Sequence, residues 1–537
     1  MLMNSLSSSN SQSWLSWFLR GILILLFLVL FAKLFEVQVI KGEYYRGLSE
    51  ENRIRRVQIP APRGRILGRG GEEIATNVEI KKRVKFDSNG SFEITDDLTG
   101  ATPDEIVIDY KRIYPVGDKF SHALGYLSQV DPGEVGKIDP ACPEKGPRTS
   151  GALIGKTGLE QMYECQLSGI PGEELIEVNT SGREVRVLGR RNPISGRDLK
   201  TTIDYGLQTE VVADMEGKKG AAIVTDMDGQ ILAFYSSPSF DPANLVQSLN
   251  DPNLPLFDRV VSGTFHPGSV FKPLVAIAAL QEGAIDKNFL FDDPGVITVN
   301  GFSYTNWYFT EYGRTEGTIN LVKAIARSTD TFFYTIGQMV GPEAIAKWAS
   351  IFGLDKPTGI DIPGETQGLI PTPEWKQQTK SEAWFLGNTY HMAIGQGDVS
   401  LTPIEVNAYI SGIGTGGRIC QPRFNMEISI NCRSIDVSKN NLDLVKQGME
   451  AACSEGGTAF TFFDFAQKHK GIQVACKTGT AEVGTDGTPH AWFTLFAPAD
   501  KPQVTVTVLI ERGGEGSSIA GPIARKIADY YFASQSN

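Results

Sequence analysis

Apolar residues run unbroken from Gly21 to Ala32 (GILILLFLVLFA), and Trp14, Leu15, Trp17, Phe18 and Leu19 before the run and Leu34 and Phe35 after it extend the stretch. A helix needs roughly 20 residues to cross the hydrocarbon of a bilayer. Trp14 to Phe35 supplies that length when Arg20 and Lys33 reach toward the two interfaces and Trp14 and Trp17 join an aromatic belt. No A-x-A-like cleavage site follows, so the segment reads as an uncleaved anchor rather than a signal peptide. Lys33, Lys41, Arg46, Arg53, Arg55 and Arg56 follow the run, against Arg20 and the amino terminus before it. By that charge balance alone the body of the chain would lie inside.

Past the anchor the pattern changes. Glu51 to Asn77 mixes alternating, strand-like stretches with turn residues at Pro60, Pro62, Gly64, Gly68, Gly70 and Gly71, which suits short strands in an extended stalk. Lys82 to Pro103 is polar and pattern-poor, Ile106 to Val116 predicts a strand pair, and no long amphipathic helix is expected before about Lys200. Near Asp198 the composition shifts. Asp204 to Met215 has helical spacing, and Gly220–Thr225 and Gln230–Ser236 flank Asp226-Met227-Asp228-Gly229 as a hairpin. Helical runs follow at Val270–Glu282, Ile319–Val340 and Pro342–Phe352. Strands come next at Gln473–Lys477, Ala491–Phe496 and Val504–Glu511, and a last helix at Gly521–Ala533. Strands, then helices, then strands that return to the first sheet describe an α+β domain with an antiparallel sheet. The expected organisation is a short tail (1–13), an anchor helix (14–35), a strand-rich pedestal (36–198) and the α+β domain (199–537).

The 537 residues, 41% hydrophobic and 21% charged, suffice for two or more packed domains. A formal net charge of -11 argues against a nucleic-acid partner, which calls for a basic excess or stripe. Cys142, Cys165, Cys420, Cys432, Cys453 and Cys476 include no C-x-x-C pair. They read as buried or incidental thiols, with a bridge such as Cys420 to Cys432 as the alternative in an oxidising compartment.

Chemistry concentrates in three segments. In Phe265-His266-Pro267-Gly268-Ser269-Val270-Phe271-Lys272-Pro273, Pro267 and Gly268 close a loop, so Ser269 falls at the first turn of a helix, where unpaired amides favour an anion. Lys272, three residues on, shares its face. An apolar floor and a neighbouring cation would bring its ammonium toward the range of a usable base. On its own Ser-x-x-Lys is weak, since average usage yields on the order of one or two chance matches in such a chain. Ser328-Thr329-Asp330 opens a second apolar run, and Lys477-Thr478-Gly479-Thr480 ends a third. Lys-Thr-Gly alone is expected by chance only about a tenth of the time. Their order and wide separation let the three converge on one cleft.

This ordered triple is the motif set of penicillin-binding proteins and serine β-lactamases. Over nearly its whole length, from the anchor and Arg63-Gly64 to Lys477-Thr478-Gly479-Thr480, the chain resembles a class B penicillin-binding protein. DPNLPLFDR (Asp251–Arg259), STDTFFY (Ser328–Tyr334), TGIDIPGE (Thr358–Glu365) and GQG (Gly395–Gly397) resemble the elongation type, penicillin-binding protein 2. The resemblance implies a transpeptidase domain of the penicillin-binding and serine β-lactamase fold on a class B dimerisation-type pedestal. It implies a D,D-transpeptidase that cross-links peptidoglycan stem peptides and is acylated by β-lactams. Ser269 would be the nucleophile, Lys272 its base and Ser328 a proton relay. Asp330, where many relatives carry Asn, would help position Ser328 and the substrate backbone. Lys477 would supply positive potential, the Thr478 and Thr480 hydroxyls beside Gly479 would hold the terminal carboxylate, and the Ser269 and Thr480 amides would form the oxyanion hole. Its substrate would lie outside the cytoplasmic membrane, which places the catalytic body there and overrides the charge balance around the anchor. A glycosyltransferase of the SEDS family is the implied partner, beside membrane lipid.

Departures from the family pattern are Gly68, where an acidic residue is usual, and a stretch from Val78 to Ile106 shorter than the head region of the elongation type, so the partner contacts of that head do not carry over by resemblance. Phe291 to Asp330 holds neither His nor Cys, so no metal is expected there, and no cofactor. Gly151-Ala152-Leu153-Ile154-Gly155-Lys156-Thr157 has one spacer too few for a phosphate loop, and Pro267 and Phe271 occupy the glycine positions of a nucleophile elbow. His266 and His490 suit loop and strand-packing roles rather than a Ser-His-Asp triad. A β-lactamase would need a base for deacylation, and no Glu-x-x-Leu-Asn segment stands between Asp330 and Lys477. A D,D-carboxypeptidase or a non-catalytic penicillin sensor or scaffold completes the alternatives.

Overall fold

The computed structural model describes residues 11–86, 92–102, 105–179, 184–484 and 487–534. Among the described residues one helix, Ser11–Phe35, meets the length and apolarity of a membrane span, with an 18-residue window of mean hydropathy 2.4 inside Trp14–Ile40. A π-helical turn at Glu36–Ile40 and a second helix, Gly42–Arg53, follow it. That twelve-residue helix is amphipathic but short, so the expectation of no long amphipathic helix before Lys200 stands beside a three-turn one that the sequence reading did not place. Its few apolar positions, Tyr44, Tyr45 and Leu48, were masked by the charged residues around them.

The chain divides into two compact units. The smaller takes Met1–Pro62, Glu79–Lys111 and Ile170–Ser195; the larger takes Arg63–Val78, Arg112–Gly169 and Gly196–Asn537. In the smaller unit Gly172–Val178 is the middle strand of an antiparallel sheet, between Ile54–Ile59 and Glu184–Arg191. Two local expectations fail there. The pattern-poor stretch after Lys82 contains a hairpin that pairs Arg83–Phe86 with Phe92–Thr95, hidden because each arm is only four residues long. Ile106–Ile113 is a single strand rather than a pair, since no turn residue interrupts it before Tyr114-Pro115.

In the larger unit Arg63–Val78 and Arg112–Gly169 pack with Ile203, Ile223 and Phe234 through Ile66, Ile74, Phe120, Leu124 and Leu159, and charge ties the two segments to each other. Glu160, with no solvent exposure, accepts from Arg63 Nε at 2.6 Å and from Arg112 Nε at 2.8 Å. Arg63 also reaches Glu164 at 2.7 Å. A carboxylate this deep is tolerable only because both guanidinium groups meet it. At Gly64 a Cβ would stand 2.1 Å from the Arg197 carbonyl oxygen, so only glycine fits the crossing.

Five antiparallel strands form the main sheet, in the order Ile231–Ser237, Gly220–Asp226, Val504–Ile510, Gly487–Ala497 and Ala475–Val483. Its three inner strands are buried almost throughout, as befits a sheet covered on both faces. The two-residue period sorts the side chains. Trp492, Phe496 and Leu509 join the core around helix Lys272–Gln281, while Phe493, Leu495 and Val508 join the core beneath helices Tyr205–Asp214 and Gly521–Ser534. Helix Lys272–Gln281 reads apolar on every side after its lysine, and from Lys272 to Leu280 it is wholly buried.

The expected helix Ile319–Val340 is two helices, Leu321–Arg327 and Asp330–Val340. Ser328, with φ +56°, caps the first in the left-handed region and breaks the run. The thiol reading of the cysteines is overturned: Cys142–Cys165, Cys420–Cys432 and Cys453–Cys476 are disulfides. Tertiary proximity decided this, since strand pairing sets Cys420 opposite Cys432 and the other two links join elements that no spacing rule connects.

Candidate active site

Ser269 sits in the 3-10 turn Gly268–Phe271, which leads into helix Lys272–Gln281. Pro273 occupies the first helical turn, where its missing N–H has no partner to lose. Two close approaches fix the turn. The Gly268 N–H donates to the Gly395 carbonyl at 2.9 Å, and a Cβ on Gly268 would lie 2.7 Å from the Thr480 oxygen. From the strand side a Cβ on Gly479 would stand 2.9 Å from Val270 Cγ1 and 3.1 Å from the Pro267 oxygen. Both glycines are therefore what lets the serine turn lie against the strand Ala475–Val483.

Three elements meet at Ser328. The Lys272 ammonium, fully buried, donates to the Ser328 carbonyl at 2.8 Å, to its Oγ at 3.2 Å and to Asp330 Oδ1 at 2.6 Å. Lys477, equally buried, donates to Ser328 Oγ at 2.8 Å and to the Thr478 carbonyl at 2.9 Å. Ser328 reaches both amines because its positive φ turns the chain between the helices, a conformation that costs a non-glycine residue about 1 kcal/mol or more.

Burial holds Lys272 below the usual lysine range, with the Asp330 carboxylate opposing the shift. Lys477 is held well below its ordinary value by burial first and by the Lys272 charge next, Asp330 again opposing. Two cations so close in a dry site cannot both keep full charge easily, and one carboxylate serves them. Asp330 is itself placed by its neighbours: Oδ2 accepts from the Trp307 N–H at 3.1 Å, and the Asp330 N–H donates to Asn306 Oδ1 at 3.2 Å.

On the strand, the Thr478 and Thr458 hydroxyls lie 2.9 Å apart. The Thr480 hydroxyl donates to Glu515 Oε2 at 2.7 Å and accepts from the Gly516 N–H at 3.4 Å. Its proton is thus committed to a carboxylate of the protein itself. The two histidines beside these segments are committed to backbone groups. His266 Nδ1–H donates to the Val399 carbonyl at 2.6 Å, and His490 Nδ1 accepts from the Arg512 N–H at 3.1 Å.

Residues 220–529 match the penicillin binding protein transpeptidase domain and residues 80–201 the penicillin-binding protein dimerisation domain. The chain belongs to the penicillin-binding protein transpeptidases. Peptidoglycan D,D-transpeptidase MrdA of Haemophilus influenzae is 30% identical to this transpeptidase over 598 residues, covering 95% of this chain and 90% of that protein. MrdA of Escherichia coli K12 is 30% identical over 603 residues, 96% and 93% of the two chains. Among solved structures, penicillin-binding protein PBP2 of Helicobacter pylori, in complex with MreC, has a TM-score of 0.78 at 26% identity, covering 90% of this chain and 99% of that one.

Of the eight residues that the sequence singles out, Lys272, Ser328, Asp330 and Lys477 form one hydrogen-bonded group. Ser269, Gly479 and Thr480 line the close contact between turn and strand, and Thr478 pairs with Thr458. Sequence reasoning missed Asn306, Trp307 and Glu515. Asn306 and Trp307 follow a short hairpin that carries no motif, and Glu515 follows a Gly513-Gly514 turn like many surface acids.

Proposed function

We propose that this peptidoglycan D,D-transpeptidase works through an acyl-enzyme on Ser269. The Ser269 hydroxyl attacks the carbonyl of the penultimate D-Ala of a stem peptide, and neutral Lys272 takes its proton. The oxyanion is met by the Ser269 and Thr480 amides, a device in which one donor is worth about 10²- to 10³-fold in rate. Ser328 passes a proton to the leaving nitrogen as the C–N bond breaks and D-Ala departs. An amine of a neighbouring stem then attacks the ester, forms the new amide and returns the proton to the serine. Lys477 and Thr478 attract the terminal carboxylate, with Thr480 joining once it gives up Glu515.

The observation that carries this reading is the convergence of both buried ammonium groups on Ser328 Oγ, one of them that of Lys272, a single turn after Ser269. Such a linked pair can move a proton between the nucleophile and the leaving group. The Ser11–Phe35 helix serves as a single-pass anchor, with residues 1–13 in the cytoplasm and both the 36–198 pedestal and the 199–537 transpeptidase domain outside. The partner expected is a SEDS-family glycosyltransferase that supplies nascent glycan during elongation. This is in keeping with the likeness to a chain from a peptidoglycan synthase complex that couples polymerization and crosslinking, at TM-score 0.73 and 27% identity.

Intact mass of the full chain in detergent after incubation with benzylpenicillin tests the reading. A stable adduct of the drug's mass, absent from Ser269→Ala, supports it. Fast drug hydrolysis without an adduct would turn the reading to a β-lactamase, and neither adduct nor hydrolysis would leave a scaffold.

A further inference from the structure

A cavity of about 320 Å³ lies beside the serine turn, lined among others by Lys376, Lys380, Asn388, His391, Gln396 and Asp398. It is close to the chemistry. Gly395, whose carbonyl holds the Gly268 N–H, immediately precedes Gln396, and the Gln396 amide points to the Thr480 carbonyl at 3.5 Å. No step of the acylation proposed above uses it.

The charges in this cavity are unevenly matched. Lys380 is held by Asp398, so that pair is neutral. Lys376 is only 7% exposed, yet its carboxylate partner, Glu382, lies 3.2 Å away with a side chain 58% exposed. A buried ammonium needs an anion beside it, whereas an exposed carboxylate gains little from the pairing and can exchange it cheaply. Neutral donors complete the wall. Asn388 accepts the Phe385 N–H through its Oδ1, which leaves the NH₂ as its donor half. Burial keeps the His391 imidazole below its usual range, Lys376 adding to the shift and Glu482 opposing it, so at neutral pH it is uncharged.

We infer that this cavity is a carboxylate subsite for the donor stem peptide, with Lys376 as the cation that receives the carboxylate and Glu382 as the rim group it displaces. One exchangeable cation and two amides suit a monovalent carboxylate; a dianion would also face Asp398. An extended peptide advances about 3.3–3.6 Å per residue. A residue two places before the attacked D-Ala therefore brings an acidic side chain within reach of a wall that starts next to Gly395. The inference rests on the acyl-enzyme reading and specifies which donor peptides the same site prefers.

The test measures D-Ala release by the full chain from two peptides ending in D-Ala-D-Ala. They differ only in whether the side-chain carboxyl two residues before the attacked D-Ala is free or amidated. In the wild type the free acid should be favoured about tenfold in kcat/KM, and Lys376→Met should bring that ratio to within about twofold of one. Because each ratio is internal to one variant, partial loss of fold cancels. Glu382→Gln, a surface change, should raise the ratio by removing the competitor. Equal rates in the wild type would overturn the inference, as would a preference that survives Lys376→Met. A wild type that benzylpenicillin acylates but that shows no peptide preference refutes the subsite alone; absence of acylation refutes the underlying reading.

Discussion

Replacing Asp330 by Asn isolates what one carboxylate does to the pair of buried lysines. Asp330 Oδ1 lies 2.6 Å from Lys272 Nζ, and its side chain is 15% exposed, so solvent screens the pair little. A carboxylate favours the ammonium form, so Lys272 gives up its proton at higher pH than burial alone would set. With the neutral amine as the proposed base, the rising limb of acylation against pH follows that proton. Two unit charges about 4 Å apart are worth about 4 kcal/mol at an effective dielectric of about 20. Measured shifts from such neighbours run about 1–3 pH units, and one unit corresponds to about 1.36 kcal/mol. Asp330→Asn should therefore move the rising limb about 1–3 units toward lower pH. Geometry survives the change: the Asn oxygen can still accept the Trp307 N–H, while its NH₂ donates to the lone pair of a neutral Lys272. The assay is the second-order rate constant for benzylpenicillin acylation from pH 5 to 10. Lys477 titrates against Lys272, so the limb belongs to the coupled pair, and its direction is the readout. A limb that stays in place or moves to higher pH would refute the assignment of Lys272 as the base and of Asp330 as its charge partner.

Three further outcomes follow from individual contacts. Ser328→Gly and Ser328→Ala should both cut acylation by about 100-fold or more, since the hydroxyl between the two lysines is gone. The glycine variant should nevertheless be the more stable of the two by about 1 kcal/mol in urea titration, because φ is +56° there; equal stability would contradict that strain. Removing the disulfide that closes 23 residues between a helix end and the Lys477 strand, by Cys453→Ser with Cys476→Ser, should lower the unfolding free energy by roughly 3 kcal/mol. His122 is buried, donates Nε2–H to the Pro255 carbonyl at 2.9 Å, and burial lowers its pKa from 6.5 to about 3. The unfolded chain thus binds the extra proton between those values, so stability is intact above pH 6.5 and declines as pH falls through that window. The loss from this one group should be on the order of 2 kcal/mol at pH 5, and His122→Gln should flatten the decline in denaturation midpoints between pH 7 and 5.

How far the sequence carries depends on whether the information is local. The anchor, the sheet strands around Gly220–Thr225 and Val504–Ile510, and helix Pro342–Phe352 emerge with nearly their observed limits, because each has a clear period and a turn or cap at its ends. Ser269, Lys272, Ser328 and Lys477 were legible as types in order, since motif chemistry asks for specific residues at short spacing. What joins them was not. Ser328 interrupts a stretch whose apolar period runs straight through it, and its left-handed cap becomes visible only in three dimensions. The strand hairpin after Lys82 was lost because its paired arms, Arg83–Phe86 and Phe92–Thr95, span only four residues each, the shortest run in which an alternation registers.

Contacts between distant segments also add a competitor to one sequence-level expectation. Read along the chain, Thr480 is a hydroxyl with a proton to offer a substrate carboxylate. In the fold that proton already goes to Glu515, thirty-five residues away, on a segment pressed so close that a Cβ on Gly516 would lie 2.3 Å from the Gly479 oxygen. A carboxylate entering the site therefore competes with one that the protein supplies, whereas Lys477, with only Ser328 Oγ and the Thr478 carbonyl as acceptors, keeps its positive end uncommitted to any acid. Attraction at the lysine and competition at the threonine act on the same incoming group. Under the proposed mechanism, selection of the substrate follows the balance between two residues on one strand, a balance that neither residue type announces by itself.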